Sequence, residues 1–188
     1  MVLISVLIME KKEDLKELFF NYSTKQWHFE ELVNTSGLTR TNTNLWLKRL
    51  MKESLITRIK PRGKMPYYLS KYSDAKFKVQ KKVFALQQFE KTGFLEHLSS
   101  LPAKTVIIFG SFSRADWHNE SDIDLFIYGP ADNFEKGHYE KVFHREIQVF
   151  HYEHEKDIKR LEPAVLPRIM AGIHVKGQGE PFQVSINA

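Results

Sequence analysis

Leu15, Leu18, Phe19 and Tyr22 recur at spacings of three and four among charged neighbours in residues 10–22, and this periodicity predicts an amphipathic helix. Residues 23–26 break the pattern. Phe29, Leu32 and Val33 then share one face of a second helix that closes at Gly37, a residue suited to a helix C-terminus. A run of Thr and Asn after Leu38 offers N-caps to a third helix, in which Leu45, Leu47, Leu50 and Met51 are expected to form the inner face. Beyond it, SLITRIKPRGKMPYYLSK has the pattern strand, Pro-Arg-Gly-Lys turn, strand, with Leu55, Ile56 and Ile59 on one arm and Tyr67, Tyr68 and Leu69 on the other. In residues 72–98, Phe77, Val83, Phe84, Leu86 and Phe89 stand among Lys and Gln, which predicts a helical connector. A flexible linker is not expected there, because the stretch is neither Gly/Ser-rich nor Pro-rich.

From residue 104 the texture changes. KTVIIFG, DIDLFIYG and REIQVFHY are short apolar runs of the kind that form buried strands. Helices are expected between them at residues 111–119 and later at residues 161–170, and GIHVKGQGEPFQVSI predicts a last short strand and an edge segment. The chain has no repeats and no low-complexity segments.

Composition changes this picture in three places. With 188 residues, 42% of them hydrophobic, the chain can build one ordinary core or two small ones. The formal charge of +5 is unevenly spread: residues 1–72 hold 13 Lys/Arg against 7 Asp/Glu, whereas the remainder holds 15 against 16. A polyanion would therefore meet the N-terminal third. The absence of cysteine excludes disulfides and thiolate metal sites, and the cytoplasm is the expected compartment. The first nine residues, MVLISVLIM, lack a basic flank and a cleavage site and are too short for a bilayer, which takes about 20 residues, so no membrane association is expected. They are expected to be an added strand or packing segment.

GSFSRADWHNESDIDLF, residues 110–126, carries the chemistry. Residues two apart on a strand point to one side, so Asp122 and Asp124 project together with backbones about 6.5 Å apart. Two adjacent carboxylates repel unless a cation or a raised pKa relieves them, and hard oxygen ligands select Mg²⁺ or Mn²⁺. The preceding Gly110-Ser111 turn leaves a strand where a residue without Cβ lets the backbone approach a phosphate. Ser113 adds a hydroxyl, and Arg114 can neutralise a phosphate oxygen. Among the eight histidines, His151 and His154 flank Glu153 but match no recognised ligand spacing, and His118 is isolated. Trp27 and Trp46 are expected in a core or an interface.

Two resemblances extend the reading. Helices followed by a hairpin over residues 10–70 resemble a winged helix-turn-helix domain, with SGLTRTNTNLWLKRLMKESLI similar to its turn, recognition helix and first wing strand. GSFSRADWHNESDIDLFIYG resembles the signature of the minimal nucleotidyltransferase family of the DNA polymerase β superfamily, in which a Gly-Ser turn precedes Ser-Asp-x-Asp by some ten residues; Gly110, Ser111, Ser121, Asp122 and Asp124 match. The order of the two resembles archaeal two-domain proteins. The fold class implied is α+β, with a winged helix-turn-helix domain at residues 1–71, a helical connector at 72–98, and a nucleotidyltransferase-fold mixed β-sheet with flanking helices at 99–188.

The resemblance implies a Mg²⁺-dependent enzyme, or a Mn²⁺-dependent one, that transfers a nucleoside monophosphate from a nucleoside triphosphate to an acceptor. Asp122 and Asp124 would hold the metal, and Gly110, Ser111, Ser113, Arg114 and Ser121 the nucleotide. Two departures stand against the family pattern. Ser113-Arg114-Ala115 replaces Ala-Arg-Gly. The family's third carboxylate, on a later strand, aligns with Gln148, leaving Glu146 two residues earlier as the catalytic candidate. Without a third carboxylate the alternative is an impaired enzyme acting as a regulator that senses a nucleotide or a protein partner. Arg40, Asn42 and Asn44 would meet base edges of double-stranded DNA, and Lys48, Arg49, Arg58, Lys60, Arg62 and Lys64 its phosphates. A HEPN-type partner and a homodimer are further expectations from the families.

Overall fold

The computed structural model describes residues 15–158, 161–162 and 164–177, and the chain divides into two compact units between Lys81 and Lys82, inside a single helix, Ala75–Lys91. The apolar residues 1–9, the start of the first expected helix and the expected edge segment after residue 177 lie outside the described residues. No helix among the described residues is long and apolar enough to cross a membrane.

The first unit contains α1 (residues 15–21), β1 (Trp27–His28), α2 (Phe29–Ser36), α3 (Arg40–Lys52), β2 (Ile56–Ile59), β3 (Tyr67–Ser70) and the start of α4 (Ala75–Lys91). α2 stops at Gly37, whose φ of 63° is a left-handed conformation that costs glycine little. Thr39 caps α3 by accepting a hydrogen bond from Asn42 N at 3.3 Å, an arrangement whose loss costs about 1 kcal/mol. The strands form an antiparallel sheet in the order β1-β3-β2, with Ile56 opposite Ser70 and Ile59 opposite Tyr67. Leu15, Phe19, Trp27, Leu32, Leu47 and Leu50 fill the core, and Trp46 is buried as well.

One expected position is corrected. Leu45 is 45% exposed and not on the inner face of α3. Thr43, Trp46, Leu47 and Leu50 form that face, at offsets of three, four and seven residues, and their phase turns Leu45 outward beside Asn44 and Lys48.

The second unit continues α4 and adds α5 (Phe94–Ser100), β4 (Thr105–Phe109), α6 (Gly110–Arg114), β5 (Ile123–Tyr128), α7 (Lys136–Phe143), β6 (Ile147–Tyr152), α8 (Glu155–Ile158), α9 (Leu166–Met170) and β7 (Ile173–Lys176). The sheet order is β6-β5-β4-β7, with β5 and β6 parallel and the other pairs antiparallel. All five residues of β4 are buried, because this strand has a neighbour on each side and both its faces are covered. On one face Ile107, Phe109, Phe126 and Ile169 form a cluster joined by Phe150, Tyr152 and Ile158. Elsewhere in the unit Phe89 packs against Phe94, Phe112 and Phe143 with ring centroids 5.3–5.6 Å apart. Edge strand β6 exposes Gln148 and His151, and the latter ring lies 2.8 Å from Gly129 O through Nε2.

Candidate active site

The chemistry-bearing residues 110–124 lie where β4 ends and β5 begins. Phe109, the last residue of β4, stands opposite Asp124, and Asp124 in turn stands opposite Gln148 on β6. These three form one cross-strand row, so their side chains leave the same face of the sheet. Asp122 is the residue just before β5 and is exposed, whereas Asp124 is the second residue of the strand and is half-buried.

Gly110 turns the chain out of β4 with φ of 69°, and a Cβ there would overlap Asp124 Oδ2 and lie 2.7 Å from its Cγ. The backbone of the turn therefore rests directly against the carboxylate. Burial raises the Asp124 pKa above the usual carboxylate range, the nearby Asp122 charge adds to the rise, and Arg114 opposes it. The Asp122 charge thus lies near enough to act on the Asp124 carboxyl.

The other residues singled out in the sequence divide into two sets. Ser111 remains partly accessible at the turn. Ser113 is 7% exposed and its Oγ donates to Gly110 O at 2.9 Å, so its hydroxyl shapes the turn from inside. Ser121 Oγ accepts from His118 N at 2.8 Å and likewise serves the loop. Arg114 is exposed and paired with Asp116, Nε to Oδ2 at 2.9 Å. Ala115, which stands where the family pattern has glycine, has φ of 60°, a conformation that costs a residue with a Cβ about 1–2 kcal/mol.

Glu146 precedes β6 and is exposed, and its carbonyl accepts from Ile123 N at 2.9 Å. Among the described residues no three His, Asp or Glu side chains gather into a metal-holding group, so Glu146 does not complete one with the aspartate pair. Gln148 is the side chain in register with Asp124.

One residue was not singled out in the sequence. Arg145 Nη1 donates to the carbonyls of His118, Asn119 and Ser121, each at 2.8 Å, and the guanidinium lies over Phe112 at 5.4 Å from the ring centroid. Its only trace in the sequence is a cation leading a strand, a feature too common to distinguish it.

In the first unit, Arg40, Asn44, Lys48, Arg49, Arg58, Lys60, Arg62 and Lys64 are exposed and Asn42 is partly so. Arg40 is paired with Glu30, and Arg49 lies 4.4 Å from the Trp46 ring centroid.

A family model described as a nucleotidyltransferase domain matches residues 91–184. No curated protein and no solved structure matches the chain.

Proposed function

We propose, from the premise that this chain belongs to the nucleotidyltransferase domain family, that it transfers a nucleoside monophosphate from a nucleoside triphosphate to an acceptor hydroxyl. The observation that carries this reading is the Asp122–Asp124 pair beside the glycine turn, with the Asp124 carboxyl raised in pKa by burial and by its neighbour. Such a pair fits Mg²⁺ or Mn²⁺: its donors are hard oxygens, and a cation would relieve the repulsion that Arg114 only partly offsets. When bound, the cation would stabilise charge on the attacking and leaving oxygens of an in-line displacement.

The residues of the chain have distinct parts in this reaction. The missing Cβ of Gly110 lets the Asp124 carboxylate pack against the turn, so a cation held by the pair would bring the phosphates to the Gly110-Ser111 backbone. Arg114 exchanges its exposed pairing with Asp116 for a phosphate oxygen at small cost, because exposed ion pairs contribute about 0–1 kcal/mol. The acceptor oxygen bonds to the α-phosphorus, the bond to the β-phosphate oxygen breaks, and pyrophosphate leaves. Glu146 or bulk water takes the acceptor proton; Gln148 can offer an oxygen to a cation but cannot accept a proton.

Release of pyrophosphate tests the reading. The full chain is expected to release it from at least one of the four nucleoside triphosphates with Mg²⁺ or Mn²⁺ when cell extract supplies the acceptor, and silence across all combinations would sink it. Gln148 favours a second reading, a regulator that binds nucleotide and metal without turnover. Binding with no pyrophosphate would select that reading.

The N-terminal unit completes the proposal. Its order of helices, hairpin and three-stranded sheet supports a winged-helix reading, with α3 presenting Arg40, Asn42 and Asn44 to base edges and the hairpin presenting Arg58, Lys60, Arg62 and Lys64 to phosphates of double-stranded DNA. Affinity for duplex DNA is expected to fall steeply with salt, and replacing one hairpin cation by Ala to lower the slope of log K against log salt by about 1. A flat salt response would instead assign the unit to protein contacts, a HEPN-type partner or a second copy of the chain.

A further inference from the structure

We propose that Arg145 is a positioning residue for the carboxylate pair, fixing the backbone on both sides of Asp122. The inference rests on the reading of Asp122 and Asp124 as the cation-binding pair. On the N-terminal side of Asp122, the carbonyl of Ser121 accepts from Arg145 Nη1 at 2.8 Å. On its C-terminal side, Ile123 N donates to the carbonyl of Glu146, the residue next to Arg145, at 2.9 Å. Asp122 is thus bracketed by two adjacent residues at the entrance to β6.

The rest of the loop depends on the same side chain. Carbonyls of His118, Asn119 and Ser121 converge on one nitrogen that carries two hydrogens, so at least one hydrogen is shared. Three carbonyl oxygens aimed at one point repel each other unless a cationic donor occupies it. The guanidinium is itself seated over Phe112, which stacks on Trp117 with centroids 4.8 Å apart and planes 3° apart. Both rings are buried, so the cation is anchored to the core while its donors face an otherwise exposed polar loop. Asp124 needs no such device, since it lies within β5 and its backbone is held by the ladder.

Without Arg145 the pair would keep Asp124 in place and lose the fixed position of Asp122. Residues that orient metal ligands from outside typically account for about 10- to 100-fold in metal affinity. The experiment is a Mn²⁺ titration of the full chain by water-proton relaxation, comparing wild type with Arg145→Ala, Arg145→Lys and Asp122→Ala. Arg145→Ala is expected to bind Mn²⁺ about tenfold more weakly or worse, with affinity recovered by added guanidinium below denaturing concentration. Arg145→Lys is expected to stay within a few-fold of wild type, since an ammonium offers three donors from one nitrogen. Amide exchange at residues 119–123 is expected to accelerate in Arg145→Ala while the rest of the sheet stays protected.

Wild-type affinity in Arg145→Ala, alongside loss in Asp122→Ala, would overturn the proposal. If Arg145→Ala fails to fold, Arg145→Lys decides: a folded Lys variant that loses Mn²⁺ by tenfold or more overturns the convergent-donor geometry. Wild type that binds no Mn²⁺ would overturn the metal reading itself, an outcome distinct from failure of Arg145 alone.

Discussion

Asp124→Asn is expected to lower pyrophosphate release by about 10²–10³-fold while making the fold more stable at neutral pH. The two effects have one cause. Asp124 is half-buried beside Asp122, and both burial and the neighbouring charge raise its pKa in the folded protein. A carboxyl with a raised folded pKa contributes stability while it is protonated, below its unfolded value of about 3.9, and that contribution is lost as pH rises through the folded value. At pH 7 the wild type therefore holds an unfavourable charge that Asn lacks. The gain should stay below about 1 kcal/mol, because solvent screens a half-buried group. Thermal melts of the two proteins should diverge as pH increases from 4 to 7 and coincide near pH 3. Added Mn²⁺ should raise the melting temperature of wild type alone. A variant less stable than wild type at pH 7 would instead show that the carboxylate has a stabilising partner.

Gly110→Ala is expected to abolish the site for a different reason. With φ of 69° a Cβ incurs about 1–2 kcal/mol of backbone strain, and this Cβ would also overlap the Asp124 carboxylate. The carboxylate, the turn or both must shift. A displacement of about 1 Å at a reacting centre can cost about 10²-fold, so activity and Mn²⁺ affinity should fall together even in molecules that remain folded. Gly63→Ala is a suitable comparison, since Gly63 also has positive φ, 71°, but its Cβ would meet no atom within 4 Å. It should show the strain cost without loss of metal. Equal metal affinity in Gly110→Ala and wild type would overturn the close approach of turn and carboxylate.

The helices and hairpin of the first unit and the strands of the second were legible because local periodicity reports them, whereas β1, α7 and α8 were not. Leu15 and Phe19 reveal a helix at helical spacing, the buried run of β4 reveals a strand covered on both faces, and Gly37 marks a helix end. Leu45 faces outward, against the expectation from spacing, for a physical reason. The inner face of α3 includes Thr43, whose hydroxyl bonds back to Thr39 O at 3.1 Å, and a polar residue in a core position shifts the apparent phase of the apolar stripe.

The nearness of Asp122 to Asp124 was also legible, since residues two apart in extended chain lie close without tertiary information, although Asp122 falls just before β5. Three matters were decided only by the tertiary structure. Parallel pairing of β5 with β6 sets Gln148 in register with Asp124, a relation between residues 24 apart that no local pattern contains. Ser113 and Ser121 look like ligand hydroxyls in the sequence, but in the fold both satisfy backbone groups. Arg145 reaches loop 118–121 only because the crossover through α7 returns the chain beside it. The sequence by itself determined which residues could carry the chemistry, because local spacing fixes how neighbours along the chain face. The tertiary structure decided which of them share a site, because strand register and long-range hydrogen bonds depend on how distant segments meet.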